Sequence, residues 1–90
     1  MPPKVFFITG AAKGAGRLWA EDALKRGDKV AAAARNTAPL TRLASRYGDN
    51  ILTMRVDPND PAAVDAAVAR ARERFGHLDV MLDNPQVVES

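Results

Sequence analysis

Three glycines lie close together near the N-terminus, where residues 9–16 read TGAAKGAG. They follow a short apolar run, residues 5–9, that predicts a buried strand. A glycine-rich turn between a strand and a helix lets a phosphate approach backbone N–H groups without obstruction by side chains. We expect Gly10 to turn the chain, Gly14 to allow close approach of a pyrophosphate, and Gly16 to let the helix pack on the sheet.

The spacing of these glycines differs from that of two other phosphate-binding loops. It is Gly-x3-Gly-x-Gly, rather than the Gly-x-Gly-x-x-Gly fingerprint. A Walker-type loop requires Gly-x4-Gly-Lys-Ser/Thr, and Ala15 stands at its second glycine position. A glycine trio alone also serves simply to turn a chain. The position of this trio between a strand and a helix therefore carries the prediction of dinucleotide binding, with Gly10, Lys13, Gly14, Ala15 and Gly16 as the cofactor-binding residues of the turn.

Alternating strand and helix patterns must position this loop. Apolar runs predict strands at residues 5–9, 29–35, 51–56 and 78–82. Apolar residues at helical spacing predict helices at residues 14–26, 37–47 and 61–75. Thr37 and Asp60 are the predicted N-caps of the second and third helices, and Pro61 follows Asp60 at the first helical position.

The second strand is ambiguous by itself because residues 31–34 are all alanine, and alanine favours helix locally. Its short length and its flanks, Gly27-Asp28 before and Asn36-Thr37 after, favour a thin buried strand. The element order is then βαβαβαβ. It predicts an α/β, three-layer Rossmann-type half domain with a parallel four-stranded sheet in the order 3-2-1-4.

The first two predicted helices should cover one face of the sheet and the third helix the other. We assign residues 1–84 to this half domain and residues 85–90 to a tail of unclear structure. Ninety residues are enough for one small domain.

Composition excludes several function classes. The net charge of +2 is too small to suggest a nucleic-acid partner. The absence of cysteine excludes disulfides and thiolate metal sites, and the single histidine, His77, does not favour a metal centre or a catalytic triad. No apolar run approaches the ~18 residues of a membrane span, and no signal peptide precedes the first strand. We expect a cytoplasmic protein without a membrane partner.

With Thr9, the glycine turn forms Thr-Gly-x3-Gly-x-Gly, which resembles the cofactor motif of the short-chain dehydrogenases/reductases. The resemblance extends along essentially the whole chain. Asp57, after the third strand, matches the family aspartate whose carboxylate meets the adenine amino group, although an aspartate there is also a common turn residue. Residues 76–80, GHLDV, resemble the family stretch that leads into the fourth strand. The resemblance implies hydride transfer between a nicotinamide cofactor and an alcohol or carbonyl in the complete family fold.

The cofactor form is predicted from the end of the second strand. An NAD site usually has an acidic residue about 20 residues past the glycines that accepts from the ribose 2′-OH. Here Ala34 and Arg35 occupy that place. Arg35 is suited to a 2′-phosphate, and Lys13, inside the glycine turn, adds a second positive charge. These residues favour NADP(H) over NAD(H); the alternative is that both cations are simply solvated.

The family's catalytic Ser, Tyr and Lys have no match here. Tyr47 is the only tyrosine, and the residue four positions later is Ile51 rather than lysine. Tyr47 belongs to a helical apolar stripe, which predicts core packing. After the fourth strand the family has Asn-Asn-Ala-Gly, whereas residues 83–86 read DNPQ, so only Asn84 matches. The adenine half of the cofactor site is therefore better supported than the nicotinamide half.

Two hypotheses follow. The first is an NADP(H)-binding N-terminal portion of a short-chain dehydrogenase/reductase-like oxidoreductase that has no catalytic residues of its own. The second is a stand-alone, non-catalytic nucleotide-binding or interaction module. In both, the fourth strand would leave an exposed apolar edge, and such edges invite pairing with another chain. We therefore expect that the chain self-associates, binds another partner or is poorly stable. Trp19, on the first helix, is expected to pack against neighbouring structure.

Overall fold

The computed structural model of the chain describes residues 2–82. The strands are β1 (Val5–Thr9), β2 (Lys29–Ala34), β3 (Ile51–Arg55) and β4 (Val80–Leu82). The helices between them are α1 (Gly14–Lys25), α2 (Thr41–Tyr47) and α3 (Pro61–Phe75), with short 3₁₀ helices at Ala38–Leu40 and Gly48–Asn50. The predicted alternation of strands and helices is confirmed.

The strands form one parallel sheet in the order β3-β2-β1-β4, as predicted. Its register places Phe7 of β1 between Ala31 of β2 and Met81 of β4, and Ala31 pairs in turn with Leu52 of β3. Because all the strands are parallel, their carboxyl ends meet at one edge of the sheet, where ligands bind in folds of this kind.

Each face of the sheet is covered by different helices, and the side chains of each strand alternate between the two faces. On one face, strand residues pack with α1 and the α2 region in a cluster that includes Ile8, Val30, Ala32, Ala34, Ala20, Leu24 and Leu43. On the other face, strand residues pack with α3 in a cluster that includes Phe7, Ala31, Ala33, Met54, Ala67 and Ala71. The predicted distribution of helices over the two faces is confirmed.

The alanines of β2 are buried on both faces, each at most 4 % exposed. Burial between two helical layers decides in favour of strand here, since tertiary packing overrides the local helix preference of alanine. Small side chains in the centre of the sheet also let the helices on either side approach closely.

The start of the second helical segment differs from the prediction. Thr37 makes no capping hydrogen bond and has helical backbone angles, φ −88° and ψ −5°, whereas an N-cap normally has extended ones. Instead, the backbone N–H of Ala38 donates to Oδ1 of Asn36 at 3.0 Å, and a 3₁₀ turn precedes α2. Asp60 does cap α3: the N–H of Ala63 donates to its Oδ1 at 3.3 Å.

Strand β4 is shorter than predicted and begins at Val80. Just before it, Asp79 is bound to the start of β1: its Oδ2 accepts from the N–H of Val5 at 2.8 Å, and its own N–H donates to the carbonyl of Val5 at 2.9 Å. These hydrogen bonds fix where β4 begins. Trp19 is 38 % exposed, so it lies partly at the surface of the described residues, and its expected packing against neighbouring structure stays a prediction. The predicted domain boundary at residue 84 lies outside the described residues and stays a prediction.

Candidate dinucleotide-binding site

The glycine turn leads from the carboxyl end of β1 into α1. Gly10 and Gly14 have φ values of 61° and 64°, a left-handed conformation that side chains with a Cβ rarely adopt. A Cβ built on Gly14 would meet no atom within 4 Å. Glycine is therefore needed at Gly14 for its backbone conformation, and the space beside it is open to an approaching group. Gly16, in contrast, is buried where α1 packs on the sheet.

The N-terminus of α1 is suited to an anion. Lys13 precedes the helix with extended backbone angles, φ −157° and ψ 167°, and its side chain makes no capping hydrogen bond. The first turn of α1 contains no acidic residue, and Ala15 within it is exposed. The positive end of the helix dipole and the free N–H groups of a first turn both stabilise a phosphate.

A cavity of about 310 Å³ lies beside this turn at the carboxyl edge of the sheet. Residues from the ends of β1, β2 and β3 and from the segments after them line it: Thr9, Gly10, Ala12, Lys13, Ala33, Ala34, Arg35, Asn36, Pro39, Val56 and Pro58. Its volume is at the lower end of the range for small-molecule sites. Among these lining residues, Lys13 and Arg35 are charged, and both are positive.

Asp57 lies between two lining residues, Val56 and Pro58, and its carboxylate is close to Arg35. The distance from Arg35 Nε to Asp57 Oδ1 is 3.8 Å, and both side chains are more than half exposed. The same Oδ1 accepts a hydrogen bond from the N–H of Asn59 at 2.9 Å. The carboxylate is thus part of a local turn as well as of an ion pair.

The structure brings most of the predicted site residues to one place. Gly10, Lys13 and Arg35 line the cavity, and Asp57 adjoins it. Gly14, Ala15 and Gly16 form the first turn of α1 next to it and do not line it. Asn84 lies outside the described residues, as do Asp83, Pro85 and Gln86.

Sequence reasoning missed the wall formed by Asn36 and Pro39. These residues belong to the segment after β2, and that position was itself a usable signal, because segments at the carboxyl ends of parallel strands form ligand sites. Arg17 of α1 holds this wall: its Nη1 donates to the carbonyl of Pro39 at 2.5 Å, and its Nε lies 3.3 Å from Oε2 of Glu21.

A parallel sheet with a glycine turn, a helix N-terminus and a cavity at its carboxyl edge defines a dinucleotide-binding half of a doubly wound fold. The family model described as short chain dehydrogenase matches residues 4–88. The chain belongs to this family, as the resemblance of its motifs predicted.

Individual relatives agree with this assignment. An oxidoreductase of Botryotinia fuckeliana is 39 % identical over 82 residues, which are 90 % of this chain and 30 % of the relative. A short-chain dehydrogenase of Streptomyces avermitilis is 36 % identical with a TM-score of 0.84, over 89 % of this chain and 30 % of that one. The chain spans about a third of the length of the curated relatives it matches.

A 3-ketoacyl-(acyl-carrier-protein) reductase of Brucella melitensis, solved in complex with NADH, is 40 % identical with a TM-score of 0.79, over 87 % of this chain and 32 % of that one. A short chain dehydrogenase/reductase of Burkholderia phymatum, solved in complex with NAD, is 32 % identical with a TM-score of 0.80, over 88 % of this chain and 29 % of that one. Both of these similar proteins bind a nicotinamide dinucleotide. Within residues 2–82, no helix is long and apolar enough to cross a membrane.

Proposed function

We propose that this chain is the NADP(H)-binding N-terminal portion of a short-chain dehydrogenase/reductase-type oxidoreductase. In the complete family fold, such a protein transfers hydride between the nicotinamide and an alcohol or carbonyl. The observation that carries the proposal is that Lys13 and Arg35, from two different strand ends, line the same cavity as Gly10 of the glycine turn.

The residues of the site suggest how the cofactor is held. The pyrophosphate lies against the N-terminus of α1, where Gly14 leaves its approach open. The adenosine occupies the cavity, whose apolar lining from Ala33, Ala34 and Val56 suits a base. We assign to the carboxylate of Asp57, next to the cavity, the contact with the adenine amino group that the family resemblance implies.

The preference for NADP(H) over NAD(H) rests on charge. A 2′-phosphate is a strong acceptor, and an arginine binds it through charge-assisted hydrogen bonds. The ribose 2′-OH of NAD(H) is best bound by a carboxylate, and Arg35 stands at the end of β2 where that acidic residue would be. Lys13 of the glycine turn lines the same cavity and contributes a second positive charge.

The proposal assigns cofactor binding and no hydride-transfer residue to this chain. Tyr47 is half-buried and packs against the α1-side core, and Ile51, four residues later, is only 5 % exposed. This packing also supports the second candidate, a stand-alone, non-catalytic nucleotide-binding or interaction module. Both candidate functions predict that the chain does not turn over a carbonyl substrate. A carbonyl-reduction assay tests this, and measurable turnover would contradict both.

Calorimetric titration of the 90-residue chain with NADPH and with NADH tests the proposal. We expect both to bind and NADPH to bind about tenfold more tightly, the effect of one additional charged hydrogen bond. Absence of heat with either cofactor would contradict cofactor binding, and equal affinities would contradict the preference. A cytoplasmic location is also part of the proposal, and cell fractionation tests it.

A further inference from the structure

We propose that Asp57 is a positioning residue for Arg35: its carboxylate holds the guanidinium at the mouth of the cavity and so strengthens the preference for a 2′-phosphate. The inference rests on the proposed function and adds to it a residue that sets specificity without touching the phosphate. It gives Asp57 a second role beside the adenine contact that the family resemblance implies.

The two side chains meet because their strands end side by side. Arg35 directly follows β2, and Asp57 comes two residues after β3. The register pairs Ala34 with Arg55, and the N–H of Val56 donates to the carbonyl of Ala34 at 2.9 Å. The parallel ladder therefore continues up to both residues, and it brings Nε of Arg35 to 3.8 Å from Oδ1 of Asp57.

Of the two partners, Asp57 is the better fixed. Its Oδ1 accepts from the N–H of Asn59 at 2.9 Å, and its carbonyl accepts from the N–H of Asp60 at 3.0 Å. Asp60 in turn caps α3. The carboxylate is thus anchored to a turn and a helix, whereas Arg35 carries its guanidinium at the end of a long side chain; both side chains are more than half exposed. An anchored partner reduces the rotamer freedom that Arg35 would otherwise lose when a ligand binds.

The contact also leaves the guanidinium able to bind. It involves Nε, so Nη1 and Nη2 remain as donors for phosphate oxygens. The carboxylate of Asp57 also repels a nearby phosphate. This repulsion lowers the affinity for NADPH, whereas positioning of Arg35 raises it. The sign of the change when the charge of Asp57 is removed therefore separates the two effects.

The test is a double-mutant cycle of Asp57→Asn and Arg35→Ala, titrated calorimetrically with NADPH and NADH. Asparagine keeps an oxygen for the N–H of Asn59 and removes the charge. We expect Asp57→Asn to lower the ratio of NADPH to NADH affinity about two- to fivefold, the size of an exposed ion pair. In the Arg35→Ala background it should leave that ratio unchanged. Loss of the adenine contact weakens both cofactors alike and cancels in the ratio.

Asp49→Asn is the matched control. Asp49 forms an exposed ion pair of similar length, 3.9 Å, with Arg74, but at the opposite end of β3. The substitution Asp49→Asn removes the same charge as Asp57→Asn, and it should leave the ratio of NADPH to NADH affinity unchanged. The inference would be wrong if Asp57→Asn left the ratio of NADPH to NADH affinity unchanged or raised it. It would also be wrong if Asp57→Asn still lowered that ratio in the Arg35→Ala background. Either result would leave the proposed function standing. A wild-type chain that binds neither cofactor would overturn the proposed function itself and the inference with it.

A second readout needs no cofactor. In ¹H–¹⁵N spectra, the Nε–Hε resonance of Arg35 should shift in Asp57→Asn and stay in place in Asp49→Asn. The backbone amide spectrum of the same samples reports whether each variant is folded. An Arg35 side-chain resonance that does not respond to Asp57→Asn would show that the two groups do not interact, and the inference would be wrong.

Discussion

The two cations of the cavity differ in what each offers a phosphate. Arg35 has a planar guanidinium with several donors in fixed directions, which matches phosphate oxygens in pairs, whereas Lys13 is a compact charge on a flexible stem. Arg35 follows a strand that is buried on both faces, and Lys13 lies in the glycine turn. Their contributions to cofactor preference should therefore differ in size and in sensitivity to geometry.

We predict that Arg35→Ala weakens NADPH binding about tenfold, because hydrogen bonds to a charged group contribute about 1.5–3 kcal/mol, while NADH binding changes little. Lys13→Ala should have the same sign and a smaller effect. Arg35→Lys keeps the charge and loses the paired donors, so it should restore only part of the NADPH affinity. Calorimetric titration of the three variants with both cofactors measures these differences.

The salt dependence of cofactor affinity in these variants distinguishes an electrostatic role of Arg35 from a structural one. The NADPH affinity of wild type should fall with added salt more steeply than that of Arg35→Ala, since screening acts on the charge pair. Equal loss of NADPH and NADH affinity in Arg35→Ala would indicate that Arg35 supports the cavity wall rather than reading the 2′-phosphate.

At the scale of single elements, the two predicted helix caps provide a matched pair. Asp60→Ala should lower the free energy of unfolding by about 1 kcal/mol, because it removes the hydrogen bond from Ala63 at the start of α3. Thr37→Ala should change it by less than about 0.5 kcal/mol, since Thr37 caps nothing. Urea denaturation of both variants measures the difference. A large loss in Thr37→Ala would contradict the structure of the second helical segment.

The buried alanines of β2 give a second prediction at this scale. Ala32 is fully buried beneath α1, so Ala32→Leu has no space for three more carbon atoms. We expect it to destabilise the fold by about 1–3 kcal/mol through overpacking. Ala66→Leu, at an exposed position of α3, is the control and should have little effect. Thermal unfolding compares the two, and a stable Ala32→Leu variant would show that the helical layers are less closely packed than described.

These elements show which parts of the fold follow from sequence. The strands and the cap at Asp60 were predictable because apolar periodicity and capping chemistry are local. The order of the sheet was predictable because alternating strands and helices follow the topology of doubly wound folds. The 3₁₀ turn at Ala38–Leu40 was not, since Asn36 and Thr37 are both plausible caps by residue type, and only the backbone angles decide between them.

The candidate site divides in the same way. The glycine turn and Arg35 were recognised from spacing along the chain. The cavity wall at Pro39 and the contact between Arg35 and Asp57 depend on strand register and on side-chain direction. No local pattern encodes a contact between residues from two different strand ends, and the exposure of Trp19 likewise depends on what surrounds α1.

At the scale of the whole molecule, the parallel sheet makes one site from distant segments. Gly10, Arg35 and Asp57 follow three different strands, and only their common edge brings them together. The same topology leaves β4 on the outside of the sheet formed by residues 2–82, paired with β1 alone. Its central residue, Met81, is 54 % exposed. Among the described residues, the outer edge of β4 is therefore a row of backbone groups that no neighbouring strand pairs.

We predict that the isolated chain self-associates through this edge. Two copies of Val80–Leu82 that pair antiparallel about a twofold axis at the central residue place each Met81 opposite its counterpart. Met81→Lys then places two ammonium groups opposite each other, and Met81→Glu places two carboxylates there. Each substitution should weaken the dimer more than about tenfold. An equimolar mixture of the two variants should dimerise again. Sedimentation velocity measures all three samples.

Leu18→Lys is the control for this prediction. Leu18 is 61 % exposed on α1, so the change adds the same charge and removes similar apolar area away from the strand edge. It should leave the dimer intact if pairing of β4 is the cause. A wild-type chain that sediments as a monomer at every concentration and unfolds cooperatively would contradict self-association. A dimer that Leu18→Lys dissociates and Met81→Lys does not would instead place the interface on α1.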